Sequence, residues 1–148
     1  MKNENALNAY LGKELRKLSP RVHTIKISDK FTSGISDFLL YTEGTSIAVE
    51  VKFVPELPSY KAQLLQHPFT GEQLTFLESI DLTNNRAFGL VVIGKMAYPV
   101  PACFIPETGN WMCSDFVGAF EGYQLTEIPK MLGAMMEVKT YARKQIIA

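Results

Sequence analysis

Cysteine, histidine, net charge and long apolar runs are what this 148-residue sequence has little of. Only Cys103 and Cys113 are present, with no C-x-x-C spacing and no histidine cluster beside them. That pattern argues against a disulfide scaffold or a zinc site, and both cysteines read as reduced core residues. No apolar run approaches the roughly 20 residues that a membrane-spanning helix needs. The polar N-terminus is unlike a secretory leader. The expected setting is the cytoplasm, with no membrane partner. Fifteen Lys and Arg balance fifteen Asp and Glu, so no strong general attraction for nucleic acid is expected. The charges are unevenly spread, however. Residues 1–30 carry seven Lys/Arg against three acids, and residues 130–148 carry four against one. The two basic ends are suited to a phosphate backbone and the acidic middle to supplying carboxylates; solvated helix faces explain the same charges equally well.

What is there describes an ordinary globular chain. Apolar residues make up 47% and charged residues 20%, enough for a core in one domain over residues 1–148. Residues 3–18 predict an amphipathic helix through Leu7, Tyr10, Leu11, Leu15 and Leu18, ended by Pro20. A β-branched run at 21–27 predicts a strand, and residues 28–36 a turn with its sharpest break at Ser33-Gly34. Two further strands are expected at 37–42 and 46–53, joined tightly at Glu43-Gly44. Three prolines make 54–69 an irregular stretch. Thr70-Gly-Glu-Gln73 matches a capping box and opens a helix through Leu74, Leu77 and Ile80. After a turn at Asn84-Asn85, the continuous apolar run 87–93 predicts a buried strand. Another strand is expected near 102–105, then a loop with Trp111 and a last helix opened by Pro129. The expected class is α/β, a mixed central sheet flanked by helices.

One region carries chemistry. Along Ala48-Val-Glu-Val-Lys-Phe53, strand periodicity puts Ile47, Val49, Val51 and Phe53 on one face and Glu50 with Lys52 on the other. The Cα atoms of Glu50 and Lys52 would be roughly 6.6 Å apart, two rises of about 3.3 Å. Charges on so apolar a strand are costly unless paired or bound to a metal. Asp37 opens the preceding strand, and the tight turn at Glu43-Gly44 brings it back toward Glu50. Two converging carboxylates suit Mg²⁺, which takes few carboxylates and keeps waters for exchange. Lys52 is then placed to orient a water or offset developing negative charge. The triplet Glu137-Val-Lys139 and the run Ser114-Asp-Phe116 repeat the short patterns, but neither has the other at hairpin spacing, so both read as chance.

Asp37…Glu50-Val51-Lys52, with Ser36-Asp37 where Pro-Asp is common, resembles the signature of the PD-(D/E)XK nucleases. The segment from Gly34 to Phe38 (G-x-x-D-F) before the E-x-K strand is similar to small Holliday-junction-resolvase-like and phage VRR-NUC-like members. The likeness covers a core of about 4–95 and leaves 96–148 as an extension. It implies a restriction-endonuclease-like αβββαβ core and a Mg²⁺-dependent endonuclease acting on DNA, with Mn²⁺ as an alternative ion. Branched DNA such as a Holliday junction is the structure-selective version of that substrate. It implies metal ligation by Asp37, Glu50 and the backbone carbonyl of Val51. It also implies an acid on the first helix, with Glu14 the candidate and Glu4 the competitor. Gln73 matches the glutamine that commonly follows E-x-K in the family; capping Thr70 is its other reading. Lys26 and Lys30, just before the Asp37 turn, are candidate phosphate contacts. His23 and His67 have no acid partner at a recognisable spacing, and neither reads as a general base. A homodimer is expected from the task, since duplex or junction cleavage needs two cuts. A viral origin, with action in host cytoplasm, follows from the phage-type likeness. The alternative function is a non-catalytic nucleic-acid-binding module that keeps the nuclease fold.

Overall fold

Two long apolar strands set the architecture. β3 (Thr45–Val54) and β4 (Arg86–Ile93) lie side by side and parallel, with Glu50 opposite Gly89 and Lys52 opposite Val91. Both strands are covered on two faces, which is why they read as near-continuous apolar runs. In the computed structural model, residues 3–18, 22–27, 37–42, 44–81 and 86–136 are described. Before β3 come α1 (Glu4–Leu15), β1 (His23–Lys26) and β2 (Phe38–Thr42); α2 (Gly71–Asp81) makes the crossover from β3 to β4. β5 (Met96–Pro101), a 3₁₀ turn (Ala102–Phe104), the short α3 (Cys113–Phe116), β6 (Tyr123–Gln124), a second 3₁₀ turn (Leu125–Glu127) and α4 over 128–136 complete the order. The sheet has six strands in sequence order, antiparallel at every junction except β3–β4. The expected mixed α/β class and the αβββαβ order are both present.

Each face has its own core. On one, Leu7, Leu11 and Leu15 of α1 and Ile128, Leu132 and Met136 of α4 pack on Phe38, Val49, Val51 and Leu90. On the other, Leu77 of α2 joins Leu64, Leu65, Phe69, Trp111 and Phe116 over Ala48, Val91 and Val100. α1 is capped by Asn3, whose side chain accepts from the Ala6 N–H at 2.8 Å. The capping box of α2 is reciprocal: the Gln73 N–H donates to Thr70 Oγ1 at 3.1 Å, and the Thr70 N–H to Gln73 Oε1 at 2.9 Å.

Two expectations are corrected. The strand expected near 102–105 is β5, ending at Pro101, and Ala102–Phe104 is a 3₁₀ turn. Pro99 and Pro101 hide β5 in the sequence. They are tolerated because β6 pairs only with Met96 and Ala97, leaving the rest of that side as an edge where no N–H is required. Cys113 is fully buried, but Cys103 is exposed, and both are free thiols. Trp111 lies in the expected loop, where it is buried edge-on against Phe69 and Phe116. The turn at Ser33-Gly34, Lys30 and the turn at Asn84-Asn85 lie outside the described residues. No helix among the described residues is long and apolar enough to cross a membrane.

Candidate active site

The site forms where β2 stops covering β3. Ladder pairing between them begins at Phe38 opposite Val49, so β3 beyond that point has backbone groups with no strand partner on that side among the described residues. Acidic side chains take them. The Val51 N–H donates to Asp37 Oδ2 at 2.8 Å, and the Asp37 N–H donates to Glu50 Oε2 at 3.1 Å. Asp37 is itself fixed by its carbonyl, which accepts from the Ile27 N–H at 2.9 Å. In a strand, one residue's carbonyl leaves on the same edge as its N–H. The Val51 carbonyl therefore points to the edge that Asp37 occupies.

Glu50 and Lys52 project from the opposite side to Val51 and are buried at 3% and 7% relative exposure. The Gln73 amide donates to Glu50 Oε1 at 2.6 Å, while Lys52 Nζ lies 3.9 Å from the same oxygen. Lys52 Nζ also stands 5.2 Å from the centroid of the Phe69 ring. Gln73 thus serves both readings at once, its amide nitrogen on Glu50 and its oxygen on the helix cap. Gln73→Ala is expected to cost about 1–2 kcal/mol through the lost cap and the lost buried bond. Gln73→Glu keeps an ideal capping box, yet should melt below the wild type at pH 8, because it sets another carboxylate against Glu50. Thermal melts of the two variants check both signs.

Burial dominates the electrostatics. The Glu50 carboxyl is pushed up to about 8, first by desolvation and then by the charge of Asp37, with Lys52 opposing. Asp37 is also raised by burial, against the Val51 N–H and Lys52. Glu4, half-buried at the start of α1, is raised by desolvation, with Lys52 opposing and the charge of Asp37 adding. The Phe53 N–H, the next unpaired donor along β3, holds the Glu4 carboxyl down. Three carboxyls therefore share one ammonium in a largely dry site.

Of the two first-helix acids, Glu4 is the one the fold brings to the cluster. Glu14 is partly exposed and pairs with Lys17 at 3.0 Å, one turn along its own helix. The buried stripe of α1 comprises Leu7, Asn8, Leu11, Gly12 and Leu15. At about 100° per residue, Glu4 points along the centre of that stripe and Glu14 about 80° away from it. Lys26 is exposed on β1, and its charge reaches Asp37. His67, given no role by its spacing, is exposed on the rim, where its charge acts on Glu4. Neither His67 nor Phe69 stands at a telling distance from E-x-K; only the tertiary path brings them near.

Among the described residues, no three His, Cys, Asp or Glu side chains converge on a point ready to hold a metal ion. Asp37 and Glu50 do come together, the Glu50 carboxylate accepting from the Asp37 N–H and the Asp37 carboxylate from the neighbouring Val51 N–H. An ion that takes one or two carboxylates and completes its shell with water and phosphate fits that donor set. Incompletely balanced negative charge in a buried site fits it as well.

No protein-family model and no curated protein matches the chain. Among solved structures, it is similar to Hjc, a Holliday junction resolvase from the archaeal hyperthermophile Archaeoglobus fulgidus. The TM-score is 0.51 at 14% identity, over 85% of this chain and 96% of that one. The fold is resolvase-like. At that identity the likeness is one of fold, the mixed six-stranded sheet with its flanking helices, and the chemistry must be argued from the side chains.

Proposed function

We propose that this chain is a Mg²⁺-dependent endonuclease hydrolysing DNA phosphodiester bonds, with branched DNA of the Holliday-junction type as its preferred substrate. The observation that carries this reading is the buried Asp37–Glu50–Lys52 cluster at the point where β2 leaves β3, within a resolvase-like fold. Asp37, Glu50 and the Val51 carbonyl are the residues that would hold the ion, with Mn²⁺ as an alternative. A bound divalent ion would polarise a phosphoryl oxygen and lower the pKa of a coordinated water. Lys52 supplies positive charge beside the reacting phosphate, where a dry setting strengthens it. Gln73 fixes the carboxylate plane of Glu50 through its 2.6 Å bond. Lys26, exposed beside Asp37, is the proposed phosphate contact from the described residues, and Lys30 is proposed by its place in the sequence.

The test is cleavage of linear duplex, single strand, flap and four-way junction with Mg²⁺, with EDTA, and with Asp37→Ala protein. Wild-type cleavage should require the ion, favour the junction and fall at least about a hundredfold in the variant. Equal cleavage by Asp37→Ala protein would sink the assignment. DNA binding without turnover on any substrate would favour a non-catalytic module instead, a reading to which the balanced net charge lends some support. A homodimer belongs to the same proposal, because junction resolution takes two cuts. Light scattering that shows only monomer across a dilution series, with and without junction DNA, would remove it.

A further inference from the structure

We propose that Phe69 is a positioning residue for Lys52, and that the segment following β5 serves the site by holding Phe69 in place. The proposal rests on the nuclease reading above and extends it to a part of the chain with no motif of its own. Lys52 needs such a neighbour. It is buried, and its carboxylate partner at 3.9 Å stands beyond hydrogen-bond length. The face of an aromatic ring carries negative potential and excludes water, so a ring 5.2 Å from the ammonium stabilises the charge and restricts where it can point.

The ring has a seat shaped for it. Gly89 lies opposite Glu50 in the parallel register, so a side chain there would project beside that of Glu50. A Cβ at Gly89 would come 2.7 Å from Phe69 Cζ and 2.9 Å from Ile105 Cδ1. The missing side chain is the slot the ring fills. Trp111 closes it edge-on, with ring centroids 6.2 Å apart.

The backbone is held as firmly. The Phe69 N–H donates to the Gly109 carbonyl at 3.0 Å. Gly109 has φ +72°, and a Cβ there would overlap the Phe69 carbonyl oxygen, so the position demands glycine. Upstream, the buried Asn110 accepts from the Leu65 and Trp111 N–H groups, both at 2.9 Å, and donates to the Leu65 carbonyl at 2.8 Å. The Leu64 N–H donates to Trp111 at 2.8 Å and the Cys113 N–H to Ala62 at 2.9 Å, zipping the two segments together. One strap, pinned from 109–113, thus delivers Phe69 to Lys52 and, four residues later, Gln73 to Glu50.

The experiment compares wild type, Phe69→Met and Phe69→Leu, each checked for cooperative melting. The first readout is the NMR shift of the Lys52 ε-methylene, which a ring face moves upfield whatever the activity. The second is steady-state cleavage of the junction with Mg²⁺. The upfield shift should be present in wild type and absent in Phe69→Met and Phe69→Leu. In Phe69→Leu, kcat should fall about tenfold, the equivalent of a desolvated cation–π contact, with KM within about twofold. Phe69→Met, which fills the slot without a ring or a hydroxyl, should lose kcat to the same extent. Unshifted Lys52 signals in the wild type would overturn the proposal, even if Phe69→Leu failed to fold. Full activity in a folded Phe69→Leu protein would overturn it while the nuclease reading stood. No cleavage by the wild type, with the shift intact, would overturn the nuclease reading and with it any service of Phe69 to catalysis.

Discussion

Glu50→Gln protein is expected to melt higher than the wild type at pH 8 without divalent ions, while cutting DNA about a thousandfold more slowly. The stability arm follows from linkage. The folded-state pKa of Glu50 is raised from 4.5 to about 8 by burial and by Asp37. A carboxyl raised in this way contributes stability fully below its unfolded value and loses it as pH climbs through the folded one. Between about pH 4.5 and 8 the folded state holds a proton that the unfolded chain has released, so the metal-free protein weakens as pH rises. Asp37 and Glu4 are raised as well and act with the same sign. A neutral Gln removes the largest of these costs but can satisfy only one of the two bonds made by Glu50, which returns about 1 kcal/mol. The net gain at pH 8 should be about 1–2 kcal/mol, or roughly 2–8 °C in Tm for a chain this size. It should vanish near pH 5, where Glu50 is protonated in the folded protein. Mg²⁺ should raise the Tm of the wild type and leave that of the variant nearly unmoved. Melts at pH 5 and pH 8, with EDTA and with Mg²⁺, read all of this. A variant less stable than wild type at pH 8 would show that the charge of Glu50 is better compensated than its surroundings suggest.

The same conflict explains why this site was legible before any coordinates. A strand of period two must put Glu50 and Lys52 on one face, and two charges inside an apolar run call for an explanation. The hairpin supplied the third member, since Thr42 opposite Thr45 fixes the register that returns Asp37 to Glu50. Gln73 was legible through its capping box, a local pattern, although nothing local says that its amide also reaches Glu50. What stayed hidden depends on partners distant in sequence. Phe69 looks like any aromatic after a proline until Gly89 and Gly109, 20 and 40 residues on, shape its seat. β5 was obscured by prolines that only an edge position excuses. His67 acts on Glu4 only through its charge, from a distant part of the sequence.

Glu14 lies away from the cluster, paired with Lys17, for a subtler reason, which sets up a sharp test. The leucines of α1, read with Tyr10, centre the apolar face about midway between Glu4 and Glu14. Asn8 and Gly12 are buried instead, and they turn the stripe toward Glu4. Asn8 is polar and Gly12, which lies beside the Phe38 ring, carries no apolar signal, so a hydrophobicity pattern undercounts both. Glu4→Gln is accordingly expected to weaken both Mg²⁺ binding, measured by calorimetry, and DNA cleavage by about 10- to 100-fold, as for a group that orients a ligand set. Glu14→Gln should leave both within about twofold, since its pair with Lys17 is solvent-screened and of the kind worth about 0–1 kcal/mol. The two residues sit on one helix and lose the same charge, so each controls for the other's effect on net charge and helix propensity. The reverse result, with Glu14→Gln crippling and Glu4→Gln silent, would mean that α1 sits rotated by about a quarter turn on the sheet. Phe38, packed against Gly12, would then have to leave the core with it.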